Sequence, residues 1–421
     1  MTSKNPMLRM MSLRDFRLLF IGATTSMLGD QFALIATPWL VLQLTGDPLA
    51  LGFVLALEGI PRAAFILLGG AITDRLSPRI IMLTADVIRF VLTGIMAFAV
   101  FTGTIQIWML YAFSLGFGLV SGFSIPAENS IVPMLVGKED LQTGNSLMMS
   151  SAQMAQFVGP TVAGILIGRY SDSFFGIGLS YAIDAVSFAV SAACLWLICT
   201  DGRRQFSEEF PEKESIWTSI LTGMKYIWTD EALRLIIIVI GGLNFLLTGP
   251  LFVGVPVLAD QRLPEGATAF GLLMSAYAGG SLVGSLIAGS LPRPSGNVMR
   301  KFFISLMIAF GAVMGSLGSI RSTWVDFILL LVIGLGNGYI SIVLFTWMQT
   351  RTPKEMLGRM MSMAMFASYG LVPVSQAISG AVIKWDLNVL FVSAGTLVLV
   401  LTLWTVFQPA LKTFSESLAT Q

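Results

Sequence analysis

The residues that could do chemistry are the ionisable ones interrupting long apolar runs: Asp30, Glu58, Arg62, Asp86, Arg89, Glu128 and Asp184. A charge inside a bilayer costs on the order of 3 kcal/mol, so one that persists there marks function by default. All of these fall in the first half of the chain, whereas the interiors of the last six apolar runs hold essentially none, with Asp326 near an outer end. Histidine is absent, which removes the usual proton carrier at physiological pH and leaves proton chemistry to carboxylates. Asp30 and Asp184 lie about 21 Å and about 15 Å into their apolar runs, at the helical rise per residue. Neither has a cation beside it in sequence, a setting that suits an exchangeable proton. Asp30 is the leading candidate for proton coupling, Glu58 the second, and Asp184 a further one. Arg62, four residues after Glu58, shares its helical face and can neutralise it; it is also the expected distant partner of Asp30. Asp86 and Arg89, three apart, read as a structural pair, and Glu128 lies close to water.

The elements that must position these groups are membrane helices. The chain has 421 residues, 55% hydrophobic and 12% charged, with a mean hydropathy of +0.80. A soluble domain carries roughly twice that charge. A net charge of +1 offers no field for a polyanion, so nucleic acid is not an expected partner. Cys194 and Cys199 share one apolar run and lack metal-ligand spacing. No GxxxxGK[ST] loop is present, and HExxH chemistry is impossible without histidine. An enzyme, an ATP-driven pump, a metal site and a cofactor are therefore not expected.

Scanning for about 20 apolar residues per span gives twelve windows: 16–44, 48–72, 80–102, 106–130, 144–168, 174–199, 232–259, 268–292, 300–320, 324–348, 358–383 and 387–409. The first is long enough to tilt or to bend near Pro38. Of the 25 Lys and Arg, only Arg169, Arg262, Arg321 and Lys384 fall in expected outer loops, and Arg62 and Arg89 lie inside spans. The rest face inward, which places both termini in the cytoplasm of an inner (plasma) membrane protein. A charged connection at 200–231 separates an N-terminal six-helix bundle (1–199) from a C-terminal one (232–421). Within it Ile216, Trp217, Ile220, Leu221, Met224, Ile227 and Trp228 form an apolar stripe, as of a helix lying on the membrane surface. Pro133, Lys138, Glu139 and Gly144 after the fourth span echo Pro353, Lys354, Glu355 and Gly358 after the tenth. Small residues recur every four positions at Ala155, Gly159 and Ala163, and again at Ala276, Gly280, Gly284 and Ala288. That spacing permits close helix contact in lipid.

Residues 69–83, GGAITDRLSPRIIML, resemble the signature loop of the major facilitator superfamily, with Gly70, Asp74, Arg75, Arg79 and Leu83 at matching positions. Ser77 and Pro78 replace the usual Gly and Arg. Pro126-Ala127, Pro133, Leu141, Asn145-Ser146, Gly29-Asp30 and Pro38-Trp39 are similar to the drug:proton antiporter subgroup of macrolide-efflux and siderophore-export proteins. Gly159, Pro160 and Gly164 resemble part of the antiporter motif, while residues 108–122 lack that subgroup's basic side chain. The resemblance implies an all-α fold of 12 transmembrane helices in two pseudo-symmetric bundles. In the superfamily it is the fifth and eighth spans, which carry these stripes, that face each other across the bundle interface. The resemblance also implies a monomeric secondary transporter in the lipid bilayer, exporting a small amphipathic substrate in exchange for protons. A lysophospholipid or lipid facilitator of the same superfamily is the alternative. Candidate cavity residues are Gln31, Trp39, Gln156, Asn244, Tyr277, Trp347 and Gln376.

Overall fold

A computed structural model describes residues 6–73, 76–137, 139–171, 173–199, 216–290 and 296–419. Among them every regular element is a helix. Lipid cannot satisfy backbone N–H and C=O groups, so a chain this apolar has to close those bonds within helices. Two compact units form, one of Met1–Phe206 with Ala259–Ser275, the other of Ser207–Leu258 with Ala276–Gln421.

The first unit holds α1 (Pro6–Ser12), α2 (Arg14–Thr45), α3 (Pro48–Thr73), α4 (Pro78–Phe101), α5 (Ile107–Leu135), α6 (Leu141–Arg169) and α7 (Phe175–Leu197). Then come α8 (Ile216–Thr229) and α9 (Glu231–Gly249), which passes through a π-helical turn (Pro250–Gly254) into α10 (Val255–Arg262). The remainder is α11 (Ala267–Ser290), α12 (Gly296–Leu317), α13 (Thr323–Arg351), α14 (Lys354–Tyr369), α15 (Val372–Ile383), α16 (Leu387–Val406) and α17 (Ala410–Ala419).

Eleven helical stretches among the described residues are long and apolar enough to cross a membrane, so the chain is a multi-pass membrane protein. The helix at the fifth expected span, α6, is 29 residues long but falls outside that set. Gln142, Asn145, Ser150, Gln153 and Gln156 dilute its apolar run. The first span runs as one helix through Pro38. It stops at Gly46, whose φ of 61° is left-handed and whose N–H donates to the Leu42 carbonyl at 2.8 Å. The eleventh window is shared between α14 and α15, because Pro373 in the first turn of α15 lacks the N–H that a continuous helix would need.

Glycines set how closely the helices approach. Gly118 and Gly122 on α5 meet α3: a Cβ on Gly118 would collide with the Glu58 carbonyl, and one on Gly122 would lie 3.3 Å from that of Arg62. Gly334 and Gly338 on α13 meet α11 in the same way, against the carbonyls of Tyr277 and Ser281. One packing scheme is thus used twice. It equates Glu58 with Tyr277, Arg62 with Ser281, and α5 with α13 in the register that also aligns Lys138-Glu139 with Lys354-Glu355.

The helices of the fifth and eighth expected spans, α6 and α11, do meet, with the Thr161 N–H donating to Ser275 Oγ at 3.0 Å, but only part of the small-residue spacing is used there. Gly280 and Gly284 pack on the α13 carbonyls of Leu331 and Leu335, whereas Gly164 meets Gly271, earlier on α11. Each stripe lies on the face its own neighbour requires. In the connection, α8 packs on α9 and α14, with Ile227 buried and Met224 and Trp228 exposed. The stripe foreseen for the membrane surface is partly used on protein; residues 200–215 lie outside the described ones. Asp230 caps α9, accepting from the N–H groups of Ala232 and Leu233, and receives the Arg351 Nε at 2.9 Å. Burial opposes its charge, but Arg351 and the two N–H donors outweigh it and hold the carboxyl below the usual range.

Gly118→Ala should lower the thermal midpoint of monodisperse protein in detergent, at a cost of about 1–3 kcal/mol from overpacking against backbone. Gly94, with nothing within 4 Å of an added Cβ, is the control. Gly94→Ala should be neutral or stabilising by up to about 1 kcal/mol. Equal effects at both positions would contradict close approach as the role of Gly118.

Candidate functional site

The helix α4 is built inside out. Val87, Val91, Ile95 and Phe98 lie exposed along one side, while Asp86, Arg89 and Thr93 are buried on the other. Polar groups turn to the interior because lipid offers them nothing. The Arg89 guanidinium is the centre of what they build. Its Nη2 donates to Ser124 Oγ at 2.6 Å and to Ser121 Oγ at 3.2 Å. Its Nη1 stands 3.9 Å from the Asp86 carboxylate and 3.7 Å from that of Glu128. Phe117 and Phe188 offer their ring faces at 5.3 and 5.5 Å, which adds cation–π attraction.

Carboxylates gather on this one cation from four helices. Asp86 accepts a hydrogen bond from Ser191 Oγ on α7 at 2.6 Å. Asp30 on α2 and Asp184 on α7 both lie within electrostatic reach of Arg89, and of each other. Asp184 is wholly buried, and neither of its carboxylate oxygens has a hydrogen-bond partner among the described residues. The nearby Ser187 hydroxyl donates instead to the backbone carbonyl of Asp184, at 2.7 Å. The seam between α2 and α7 is closed by Gly29, where a Cβ would collide with Ser187 and lie 2.8 Å from Asp184 Oδ1. Asp86 and Glu128 thus stand within 4 Å of the guanidinium, and Asp30 and Asp184 lie within its electrostatic reach.

For Asp30, Arg89 is a cation within electrostatic reach. Arg62 donates to Glu58 at 3.1 Å on its own helix. Sequence reading treats Arg89 as a local partner of Asp86 because three-residue spacing is visible in a string and packing between α2 and α4 is not. Its one legible signal is an arginine deep in an apolar run.

Of the signature loop, Gly70 falls in α3, and Asp74 and Arg75 lie outside the described residues. Arg79 donates to the carbonyls of Leu195 and Trp196, both at 2.7 Å, and so closes the C-terminal end of α7. Gly159 makes room for Gln31, which lies where a Cβ would stand, and Pro160 offers its carbonyl to the close approach of Gly271.

In the second unit a cavity of about 80 Å³ is lined by Asn244, Tyr277, Asn337 and Ser341 among apolar residues that include Phe310 and Leu344. Among the described residues no carboxylate, Lys or Arg lines it. Two of the expected cavity residues, Asn244 and Tyr277, are therefore brought together; Asn337 and Ser341, four apart on α13, were not foreseen. Trp347 is elsewhere, fully buried edge-on against Phe414 at 4.8 Å and beneath the Arg351 guanidinium. Trp39 is buried beside Gly266, Gln376 is buried, and Gln156 is exposed.

Known proteins resemble the chain along most of its length. It is 23% identical over 347 residues to the enterobactin exporter EntS of Escherichia coli O1:K1 / APEC, covering 82% of this chain and 79% of that protein. It is 22% identical over 411 residues to the multidrug efflux pump Tap of Mycolicibacterium fortuitum, covering 94% and 96%. Among solved structures, a bacterial homologue of the iron transporter ferroportin in its inward-facing state superposes with a TM-score of 0.69 at 17% identity, over 94% of this chain and 99% of that one. The nucleoside transporter NupG gives 0.66 at 15% identity, over 93% and 98%. The profile described as Major Facilitator Superfamily matches residues 19–376, and with a helical fold shared with such transporters, the chain belongs to the Major Facilitator Superfamily and is a transporter rather than an enzyme.

Proposed function

We propose that the protein is a proton-coupled exporter of hydrophobic or amphipathic small molecules, working by alternating access as a monomer of 12 spans in two six-helix halves. In this reading residues 1–199 and 232–421 are the halves, 200–231 the cytoplasmic connection, and both termini face the cytoplasm of the inner membrane. The observation that carries it is the gathering of four carboxylates on one buried guanidinium. Four negative groups against one positive group leave a formal excess of three negative charges in a unit surrounded by lipid. Ionised together the buried aspartates among them would repel, which suits one of them to exchanging a proton. Relatives named as an exporter and an efflux pump support outward transport.

Asp30 is the exchanging group in this account. It is half-buried, whereas Asp184 is sealed. With Asp30 protonated, Arg89 is left to Asp86 and Glu128; with Asp30 ionised, it is drawn toward α2. That difference biases one conformation over another, as a coupling ion must. Glu58, neutralised by Arg62, is the second candidate.

Asp30→Asn mimics the protonated form. In proteoliposomes screened with neutral and cationic amphiphiles under an imposed pH gradient, it should lose gradient-driven accumulation and keep counterflow exchange. Accumulation at the wild-type rate would remove Asp30 from the coupling role. Transport of lysophospholipid without any proton flux would favour the facilitator alternative.

Arg89→Met strands the carboxylates and should destabilise by about 3–5 kcal/mol, the usual penalty for breaking a buried ion pair. Detergent-solubilised protein should lose its monodisperse peak at a markedly lower temperature. Arg89→Lys keeps the charge without the fork that reaches both serines and should fall between wild type and Arg89→Met. A methionine variant as stable as wild type would contradict the central position given to Arg89.

A further inference from the structure

The two units use the same glycine contacts to hold equivalent helices, so equivalent positions can be compared. In the first unit the space framed by these helices is filled by Arg89, which is met from α5 by Ser121, Ser124 and Glu128. The register set by Gly118 and Gly334 places Asn337, Ile340 and Leu344 at those three positions on α13. All three line the second unit's cavity, as does Tyr277, the counterpart of Glu58. Where one unit holds a guanidinium and its carboxylates, the other holds open space with amides, a phenol and hydroxyls. Asn244 Nδ2 donates to the Ile240 carbonyl, while no hydrogen bond engages the side chains of Asn337 or Tyr277 among the described residues.

We propose that this cavity binds an uncharged hydrogen-bonding group of the transported molecule, an amide or ester carbonyl carried on an apolar body. Polar groups in an apolar cavity cost free energy until something pairs with them. Asn337 and Tyr277 offer donors to a carbonyl oxygen, and the Asn337 carbonyl can accept from an amide N–H. Phe310, Ile340 and Leu344 supply the apolar wall. A carboxylate or ammonium headgroup would arrive without a counter-charge and is disfavoured. The proposal rests on the transporter reading for the molecule's identity as cargo, and it assigns ligand recognition to the second unit and ion handling to the first.

The test measures binding, which needs no transport. Purified full-length protein in detergent is titrated calorimetrically with octanamide, octanoate and octylammonium, one chain with three headgroups. Octanamide should bind wild type best. Asn337→Leu should weaken it about tenfold, the effect of one lost hydrogen bond of about 1.4 kcal/mol, and Asn337→Asp should shift preference to octylammonium. Gel filtration and thermal midpoint establish that each variant is folded; should Asn337→Leu fail, Tyr277→Phe takes its place with the same expectation. Equal binding of the three probes, or octanamide binding unchanged in the folded variants, would overturn the proposal. Selective amide binding by a protein that moves no solute in proteoliposomes would uphold the pocket and refute the transporter reading. Transport that survives both substitutions at wild-type KM would do the reverse.

Discussion

One guanidinium buried in an apolar membrane domain needs acceptors and counter-charge, and the first unit supplies them to both of its terminal nitrogens. Arg89 cannot lose its proton, so its surroundings must supply acceptors and counter-charge. Ser121 and Ser124 do so because Gly118 and Gly122 let α5 lie against α3 without intervening side chains. Asp86 does so from the same helix, steadied by Ser191. Phe117 and Phe188 close the remaining faces. The lipid-facing side of α4, with Val87, Val91 and Ile95 exposed, is the complement of the same constraint.

Neutralising Arg89 requires one negative charge, yet two carboxylates stand within 4 Å of it and two more lie within its electrostatic reach. That surplus is the link from structure to function. A purely structural ion pair would stop at Asp86. Adding Asp30 and Asp184 from α2 and α7 makes the group's total charge depend on how many protons it holds, and makes the packing of three helices depend on that charge. The second unit repeats the helical framework around a cavity that, among the described residues, neutral polar and apolar side chains line without a carboxylate, Lys or Arg. The two spaces lie in the same helical framework and differ in the side chains that fill them.

Much of this was legible in the string. Apolar run lengths located the helices, since lipid imposes one solution on each run; the exception is α6, whose amides and hydroxyls keep it below the apolarity of the other spans. Asp30, Asp86, Arg89 and Asp184 stood out as ionisable groups where none should be. Their association did not, because Arg89 and Asp30 belong to helices whose contact depends on packing, and Arg62 was the nearer cation in sequence. The small-residue stripes were visible, but four-residue spacing identifies a close face without naming what lies against it. Gly280 and Gly284 therefore found α13 instead of α6. Asn337 and Ser341 carried no signal beyond being polar in an apolar run.

The central claim is that the carboxylates around Arg89 hold an exchangeable proton while the protein is folded. Infrared difference spectroscopy of purified protein, titrated across neutral and alkaline pH, reads protonated carboxyl groups directly through their carbonyl stretch. The account predicts a deuterium-sensitive carboxyl band at neutral pH that diminishes in Asp184→Asn and loses its pH dependence in Asp30→Asn. Absence of any such band in wild type, or a band unchanged by both substitutions, would mean that the cluster is fully ionised or inert and would contradict it.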